Sequence, residues 1–431
     1  MLQSFTVRNF KSFGEPATLH LAPLTVLIGA NASGKSNFIE AMQLLSWAAS
    51  GRRLTDLLYA IREQELCLRG GLADLARDGN RIWFTCTFQE GNRELELLLA
   101  LEVDRSGMRL LVEKLFETRS NVPLYEIAEP AHSEGNEISI AYNNFSRGGK
   151  KPRIVGVDQQ PVFTQLTTPA RFAHRESQRE IPVAANLVRT NLAEILFLDP
   201  APRRMRDYSF KEEQHISGDG AALSAVLFRL CQNRSSKGQL LDFIRSLPEQ
   251  DIADISFLET ERNEVMVQLH ETFGGKTQTR EAALLSDGTL RVLAVVAALL
   301  SVAEGTTVVV EEIDNGVHPS RAELLLKNIR DVAAKRNLRV LLTTHNPALL
   351  DAIPTDAIPD ATACYRDPKN GDSRLVRLQD LSRYPELIAQ GPVGRLVTKG
   401  ILDRYLKMPP DDETRLRRDL AWVDDLAGIA S

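Results

Sequence analysis

The feature that most constrains the fold is a glycine-rich loop between an apolar strand and a helix. Residues 24–28 (LTVLI) predict a buried strand, and an apolar face that includes Phe38 and Met42 predicts the helix. The loop between them, residues 29–36 (GANASGKS), fits the pattern G-x-x-x-x-G-K-[ST]. Glycines let backbone N–H groups turn toward phosphate oxygens, and the helix N-terminus adds positive potential. The sequence therefore predicts an α/β fold around a phosphate-binding loop, which we call the phosphate loop.

The phosphate loop supplies the first set of candidate site residues. Lys35 would reach the β- and γ-phosphates of a nucleotide, and the hydroxyl of Ser36 would ligate Mg²⁺. A glycine-rich turn with an incidental lysine is the alternative, but the flanking strand and helix favour the functional interpretation. The candidate nucleotide-binding residues are Gly29, Asn31, Ala32, Ser33, Gly34, Lys35, Ser36 and Asn37.

A second strand end supplies two carboxylates. Residues 306–310 (TTVVV) predict a strand that runs into Glu311 and Glu312. Glu311 would accept a Mg²⁺-bound water, and Glu312 would orient or deprotonate the attacking water. Two glutamates after an apolar strand are usually only solvated. Because a phosphate loop precedes them and a strand–helix–strand unit follows, we expect this pair to be the metal and catalytic part of the site.

The next strand carries a candidate histidine. A helix that begins at Ser320 leads to a strand over residues 338–345, and such a βαβ unit implies parallel strands. His345 ends that strand, where its imidazole could donate to the γ-phosphate or to the water near Glu312. A lone histidine is more commonly structural, but its place at this strand end favours a catalytic role.

A second helix start is the last candidate anion site. Residues 285–288 (LSDG), which we call the signature turn, open an apolar helix over residues 290–300. Ser286 and Gly288 at a helix N-terminus can bind an anion. A plain helix cap is the alternative for this short motif.

The rest of the chain predicts strands first and helices later. Residues 2–7 and 17–21 are β-rich, and alternating apolar runs within residues 81–143, separated by turns, predict an antiparallel meander. Residues 160–275 have mainly helical patterns with short strands. The predicted fold is α/β, with a mixed β-sheet around the phosphate loop, an antiparallel β meander and an inserted, mainly helical subdomain.

The C-terminal part predicts two more strands, at residues 361–366 and 373–378, followed by charged helices. Composition shifts and these patterns together divide the chain into four units. The predicted units are an N-terminal lobe with the phosphate loop and meander over 1–160, a mainly helical lobe over 161–280, the second half of the core over 281–350 and a small α/β extension over 351–431.

Composition and charge exclude several classes of protein. The 431 residues include 52 Lys and Arg against 57 Asp and Glu, and the net charge of −5 argues against a wholly basic nucleic-acid coat. Two basic segments, residues 146–153 and 203–206, could contact phosphates or could be solvated and ion-paired. The scattered cysteines lack metal-ligand or disulfide spacing, and the most apolar stretch, residues 293–300, is too short to span a bilayer. We therefore expect a cytoplasmic protein with no membrane partner, which could bind nucleic acid only through local basic patches.

Taken together, the motifs at residues 29–36, 285–288, 311–312 and 343–347 resemble those of ABC-type ATPase heads of the SMC/RecF/OLD group. The chain is similar in particular to small, coiled-coil-free ATPases that are frequent in bacterial defence operons. Residues 7–13 (VRNFKSF) also resemble the opening strand and turn of that group.

The resemblance implies ATP and Mg²⁺ as cofactors and ATP hydrolysis as the reaction. It also implies a homo-oligomer in which two heads sandwich two ATP molecules, so that the phosphate loop of one chain faces Ser286 and Gly288 of the other. Asp314 would then lie in the D-loop at the seam between the heads. His318 and Pro319 also match the group, and we interpret them as structural.

Three departures from the group's pattern bear on activity. Glu311, one methylene longer than the usual metal-side Asp, affects Mg²⁺ geometry and turnover. The signature turn reads LSDG rather than the LSGGQ of transporters, which favours the SMC/RecF side. Gln64 and Gln89 are both candidates for the Q-loop glutamine, and the sequence does not choose between them.

The leading functional hypothesis is an ATPase whose ATP-dependent dimerisation regulates a separate effector, such as a nuclease, in anti-phage defence. A RecF-like DNA-binding repair ATPase is one alternative. A scaffold that uses ATP as glue with negligible turnover is another, and Glu311 mildly favours it. An intrinsic nuclease is not expected, because the segment after Asn346 is short for a Toprim domain and lacks an acidic DxD cluster.

Overall fold

The computed structural model describes residues 1–104, 107–118, 120, 122–131, 135–146, 148–244, 251–313 and 319–407, which form three β-sheets with helices between and around them. The strands in chain order are β1 (Leu2–Arg8), β2 (Ala17–His20), β3 (Leu24–Ile28), β4 (Arg81–Glu90), β5 (Arg93–Val103), β6 (Met108–Glu117), β7 (Tyr125–Glu129), β8 (Glu137–Tyr142), β9 (Arg153–Val157), β10 (Leu196–Leu198), β11 (Ser209–Phe210), β12 (Asp251–Glu259), β13 (Glu264–Phe273), β14 (Lys276–Glu281), β15 (Thr307–Val310), β16 (Arg339–Thr344), β17 (Thr362–Arg366) and β18 (Ser373–Arg377). The helices are α1 (Lys35–Ala49), α2 (Leu57–Arg62), α3 (Val162–Gln165), α4 (Arg175–Ala193), α5 (Pro202–Met205), α6 (Leu223–Cys231), α7 (Arg234–Ile244), α8 (Asp287–Ser301), α9 (Pro319–Lys335), α10 (Pro347–Asp351), α11 (Tyr384–Ala389), α12 (Val393–Thr398) and α13 (Ile401–Lys407). Within these ranges, no helix combines the length and the apolar character needed to cross a membrane.

The central sheet contains the strand that leads into the phosphate loop. Its strands lie in the order β10-β15-β16-β3-β17-β18, and all pair in parallel except β18, which runs antiparallel to β17. β3 and β15 are buried along their whole length, as expected of parallel strands covered on both faces. The predicted mixed sheet is confirmed. Because the carboxyl ends of parallel strands meet at one edge, the residues that follow β3, β10, β15 and β16 come together there.

Alternate residues of the central sheet face two different hydrophobic clusters. Leu27, Val309 and Leu341 pack in one cluster with α1 and with the meander. The neighbouring residues Val26 and Val308 pack in a second cluster with α8 and α9. This alternation follows from the two-residue period of a strand. The helix that begins at the phosphate loop and the helix that begins at the signature turn therefore cover opposite faces of one sheet.

The second sheet is antiparallel, with the order β2-β1-β4-β5-β6-β7-β8-β9, and it confirms the predicted meander. Burial alternates along β4, which is typical of a strand with one face on the core. Phe38 of α1 packs edge-on against Phe5 and Phe13, with ring centroids 5.5 and 5.7 Å apart. α1 thus lies between the meander and the central sheet.

The third sheet corrects part of the prediction for residues 161–280. Helices α3 to α7 lie in this region, but β12 and β13 are long strands of nine and ten residues that pair antiparallel. A bulge in β12 between Ile252 and Asp254 places Ile252 and Ile255 together among the buried residues. These strands are longer than the short strands that the sequence predicts for this region, because the bulge interrupts the regular alternation of β12.

The segment predicted as a C-terminal extension is built into the central sheet. β17 pairs in parallel with β3, through Thr362 with Leu27 and Ala363 with Ile28, and β18 pairs with β17. The predicted strands are present, but they complete the sheet of the phosphate loop instead of forming a separate small unit. The boundaries of the four predicted units stay predictions.

Candidate functional site

A cavity of about 550 Å³ lies at the carboxyl edge of the central sheet. The phosphate loop enters it from β3, the two glutamates from β15 and the histidine from β16, each from the end of a parallel strand. The sequence-predicted residues that line this cavity are Asn31, Ala32, Ser33, Gly34, Lys35, Ser36, Asn37, Glu311, Glu312 and His345. Gly29 lies at the start of the same loop. The fold thus brings together residues more than 300 positions apart in the chain.

The backbone of the phosphate loop requires its two glycines. Gly34, the N-cap of α1, has a φ of 120°, and a Cβ there would collide with the hydroxyl of Ser373. A Cβ on Gly29 would collide with the carbonyl oxygen of Cys364 in the neighbouring strand β17. Both positions therefore exclude a side chain, because a neighbouring oxygen lies too close to each glycine. At Gly34 the left-handed backbone conformation is a second reason.

Lys35 lies folded across the loop that precedes it. Its Nζ donates to the carbonyl oxygens of Gly29 at 2.6 Å and Ala30 at 3.1 Å. An ammonium held over a ring of backbone groups is placed where phosphate oxygens of a nucleotide could take the place of these carbonyls. The neighbouring Ser36 is exposed in the cavity, where a hydroxyl can serve as a ligand.

A chain of hydroxyls supports the phosphate loop from behind. Ser373 of β18 donates to the carbonyl oxygen of Ser33 at 2.6 Å and lies 2.8 Å from the hydroxyl of Ser12. The amide of Asn37 donates to the same Ser12 hydroxyl at 2.8 Å. Ser12 belongs to the VRNFKSF segment, which gave a sequence signal. Ser373 follows an ordinary turn, and no local pattern could have identified it.

The VRNFKSF segment, residues 7–13, also supplies a cation, Lys11. Lys11 and Arg69 both pair with Glu40, a buried carboxylate on α1, and the Arg69 contact measures 2.5 Å. Arg69 also donates to the side-chain oxygen of Asn37 at 3.0 Å, and it lines the cavity. Two cations therefore compensate the buried Glu40 beside the phosphate loop. The sequence analysis missed Arg69, which lies in a segment without regular pattern.

The carboxylates at the end of β15 repel one another. Burial, with added repulsion from Asp199, Glu312 and Glu40, raises the pKa of Glu311 to about 7, and Arg69 opposes this shift. Glu312 has a positive φ of 48°, and its backbone N–H donates to the Thr343 hydroxyl at 3.0 Å. This strained turn points to a functional constraint at the strand end.

Asp199 is a site residue that the sequence analysis missed. It follows β10, whose strand pairs with β15, and the backbone N–H of Glu311 donates to Leu198 at 3.0 Å. Burial, opposed by Arg291 and reinforced by Glu312, raises the pKa of Asp199. The apolar run before it is only three residues long as a strand, too short to stand out in the sequence.

The two glutamine candidates lie in different places. Gln64 lines a second cavity of about 650 Å³ that also contains Asp199 and Glu311. Gln89 lies on β4, where its side chain donates to the carbonyl oxygen of Gly91. Of the two, Gln64 therefore lies beside the carboxylates of the site.

The set of groups in the cavity fits a hydrated Mg²⁺ better than a closed protein metal centre. No cluster of three or more His, Cys, Asp or Glu side chains is arranged to hold a metal in the part of the chain that the structure describes. Mg²⁺ usually takes only one or two protein ligands and completes its shell with waters and phosphates. The Ser36 hydroxyl, and the Glu311 carboxylate through water, would supply such a partial shell.

The signature turn lies apart from this cavity. Ser286 and Gly288 are not among the described residues that line it, and Ser286 is exposed. The Ser286 hydroxyl caps α8 by accepting from the backbone N–H of Thr289 at 3.1 Å. Arg206 donates to both neighbours of Ser286, namely to the Leu285 carbonyl oxygen and the Asp287 carboxylate. Asp314 and His318 lie outside the described residues.

The two basic segments are engaged in ion pairs. Lys151 lies 3.6 Å from Glu126, and Arg153 pairs with Glu129. Arg204 lies 3.1 Å from Asp219. These contacts favour the ion-paired interpretation of residues 146–153 and 203–206 over phosphate contact; Arg147 lies outside the described residues.

Known families match the two halves of the chain separately. Residues 1–145 match the family described as "AAA ATPase domain", and residues 158–351 match the family described as "AAA domain, putative AbiEii toxin, Type IV TA system". The phosphate loop falls in the first match, and the signature turn, both glutamates and His345 fall in the second.

Individual relatives are distant. An ATP/GTP phosphatase of Helicobacter pylori is 21% identical over 360 residues, which cover 82% of this chain and 87% of that protein. The DNA replication and repair protein RecF of Gloeobacter violaceus is 34% identical over 118 residues, 27% of either chain. Among solved structures, the SMC head domain of Thermotoga maritima aligns over 87% of this chain and 98% of its own, with a TM-score of 0.42 and 14% identity.

Proposed function

Because this chain belongs to the ABC-type ATPases of the SMC/RecF group, we propose that it binds ATP at the phosphate loop and hydrolyses it between two chains. The observation that carries the proposal is the division of the predicted residues between two places. The phosphate loop, Glu311, Glu312 and His345 share one cavity, while Ser286 of the signature turn is exposed elsewhere on the same chain, with Gly288 buried behind it. A second copy of the chain can supply the missing turn.

Each residue in the cavity has a distinct chemical task in this proposal. Lys35 and the N-terminus of α1 bind the β- and γ-phosphates. Ser36, and Glu311 through water, hold Mg²⁺, which supplies charge neutralisation on the phosphates. Glu312 orients or deprotonates the attacking water, and His345 donates to the γ-phosphate.

The partner chain completes the site through its helix start. Ser286 and Gly288 of one chain cover the γ-phosphate bound by the other, with Asp314 at the seam between them. The Ser286 hydroxyl accepts from the backbone N–H of Thr289 and lies 2.8 Å from the Thr289 hydroxyl, so its own proton can turn toward a phosphate oxygen when the Thr289 hydroxyl is the donor of that pair. Two such sites in a symmetric dimer make ATP the glue of the interface.

We further infer that the nucleotide state of the dimer controls a separate effector, such as a nuclease, in cytoplasmic anti-phage defence. The description of the matched family, "AAA domain, putative AbiEii toxin, Type IV TA system", links that family to toxin–antitoxin systems and names no separate effector. A RecF-like role on DNA is the second candidate, supported by the RecF relatives. Lys151, Arg153 and Arg204 are ion-paired, but these pairs are partly exposed and cost little to open, so salt-dependent DNA binding tests this candidate.

The decisive experiment is the isosteric change Glu312→Gln. Phosphate release should fall about 100-fold or more, because the water loses its base, while ATP remains bound. Size-exclusion chromatography with ATP and Mg²⁺ should then show a longer-lived dimer than for the unchanged protein. Glu323→Gln, on the exposed face of α9, is the matched control and should behave like the unchanged protein.

Two results would contradict the proposal. Phosphate release of the unchanged protein no faster than that of Glu312→Gln would leave only a scaffold held by ATP. If ATP alters the elution volume of no variant, the proposed ATP-dependent dimer is contradicted.

A further inference from the structure

We propose that Arg206 is a positioning residue that fixes the signature turn for use by the partner chain. This inference rests on the proposed function, in which Ser286 completes the nucleotide site of a second copy. It also gives a role to the basic segment 203–206, for which the sequence offered only phosphate contact or ion pairing.

The contacts of Arg206 lie on both sides of Ser286. One guanidinium nitrogen donates to the carbonyl oxygen of Leu285 at 2.9 Å and to the carboxylate of Asp287 at 2.8 Å. The hydroxyl of Ser286 is held in turn by the cap contact with Thr289. The residue before the serine, the residue after it and the serine itself are therefore all fixed.

The firmer of the two contacts is the one with the Leu285 carbonyl oxygen, because Leu285 is buried, whereas the Asp287 side chain is 65% exposed and its ion pair is a surface one. The Arg206 side chain is 30% exposed, and it joins a backbone carbonyl to a carboxylate, both of which accept charge-assisted hydrogen bonds. By contrast, the Arg204 side chain is 68% exposed and pairs with Asp219 away from the turn. Exposed pairs of that kind contribute little to stability.

The segment that carries Arg206 is itself anchored. Met205, the last residue of α5, is buried, and a Cβ on Gly220 would lie only 2.6 Å from its sulfur. The close packing holds the backbone from which Arg206 extends. The same segment starts at Asp199, beside Glu311 in the chain's own nucleotide site. One short stretch thus connects a chain's own carboxylates to the turn that it offers to its partner.

The inference predicts a defect that acts in trans. In Arg206→Ala, ATP binding by the single chain should stay within about two-fold of the unchanged protein, because the phosphate loop is untouched. The dissociation constant of the ATP-dependent dimer should rise about ten-fold, as expected for loss of one charge-assisted contact. Arg204→Ala should change neither quantity. Arg206→Lys keeps the charge but lacks the planar fork, so its dimer dissociation constant should lie between those of the unchanged protein and Arg206→Ala.

Mixing two defective chains separates positioning from general damage. A dimer of Arg206→Ala with Lys35→Ala contains one composite site with an intact phosphate loop and an intact signature turn. Equal amounts of the two variants should release phosphate faster than the mean of the two measured alone. About a quarter of the wild-type rate is the upper limit, reached only if pairing is random, because a mixed dimer binds one ATP instead of two. Asp287→Asn, a near-isosteric change that weakens the same contact, should be complemented in the same way.

The outcomes distinguish this inference from the proposed function. Ser286→Ala mixed with Lys35→Ala tests the composite site itself. If that mixture is no faster than its components, both the composite site and the role of Arg206 are overturned. If it is faster, and the Arg206→Ala mixture only matches the mean of its components, the role of Arg206 alone is overturned.

Discussion

α1 and α8 are two helices of fifteen residues whose N-termini offer similar anion-binding chemistry in opposite surroundings. α1 begins at Gly34 with no side-chain cap, inside a cavity that also holds carboxylates. α8 begins at Ser286, which caps its own helix on an exposed surface. An uncapped start in a cavity suits a tightly held phosphate, and a capped start on the surface suits a contact made only when a second molecule arrives. If the proposed function is right, position in the fold, and not the helix start alone, decides what each can bind.

Of the substitutions that test this comparison of α1 with α8, Lys35→Ala should have the largest effect. The variant loses the ammonium that lies over the loop, so ATP affinity should fall about 100-fold or more, and the dimer should be lost with it. Titration with a fluorescent ATP analogue measures the change. Lys327→Ala, an exposed lysine on α9, is the control. Binding within two-fold of the unchanged protein would place the nucleotide elsewhere.

Ser286→Ala should damage the exposed helix start only. ATP binding by the single chain should be unchanged, while the ATP-dependent dimer should weaken about ten-fold through loss of one hydrogen bond to a charged group. Loss of the cap should also lower the free energy of unfolding by about 1 kcal/mol. Analytical ultracentrifugation with and without ATP measures the first effect, and chemical denaturation the second. A loss of ATP binding by the isolated chain would show that Ser286 acts in its own site.

The electrostatics of the cavity can be tested without nucleotide. The folded-state pKa of Glu311 is about 7 against an ordinary value of 4.5, so between these values the folded chain holds a proton that the unfolded chain has lost. Stability should therefore fall as pH rises through this range. Glu311→Gln should remove that fall, making the variant about 1 kcal/mol more stable than the unchanged protein at pH 8 and nearly equal at pH 4.5. Urea denaturation of both proteins at pH 4.5 and pH 8 measures this. A difference in the free energy of unfolding that is the same at both pH values would contradict the raised pKa of Glu311.

The smallest expected effect concerns the support behind the phosphate loop. Ser373→Ala removes the bond to Ser33, whose carbonyl oxygen keeps its contact with the Cys364 thiol at 3.4 Å. ATP affinity should fall about three-fold, and the free energy of unfolding by about 0.5–1 kcal/mol. Calorimetric titration with ATP measures the first quantity. An equal loss of affinity in Ser235→Ala, an exposed serine on α7, would mean that the effect is not specific to the loop.

The sequence predicts the parts of the site that are local motifs. The phosphate loop, the strand before Glu311 and the strand before His345 each show a short pattern, and the structure places all three at one sheet edge. Asp199 and Ser373 show no such pattern, because each matters only through a neighbour far away in the chain. The two departures of the fold from the prediction have separate causes. The bulge at Ile252 disturbs the strand period, and the pairing of β17 with β3 is a long-range contact that no local pattern encodes.

The place of β3 in the central sheet has a consequence for how the protein is made. β3 ends at residue 28, yet its two neighbours are β16 and β17, which are synthesised only after residue 338. A chain emerging from the ribosome therefore carries its glycine-rich turn for most of translation without the strands that hold it in shape. A truncated chain that ends before Ser373 would lack the wall against which that turn closes. If the loop captures nucleotide as proposed, that capture depends on strands that are synthesised more than 300 residues after the loop itself.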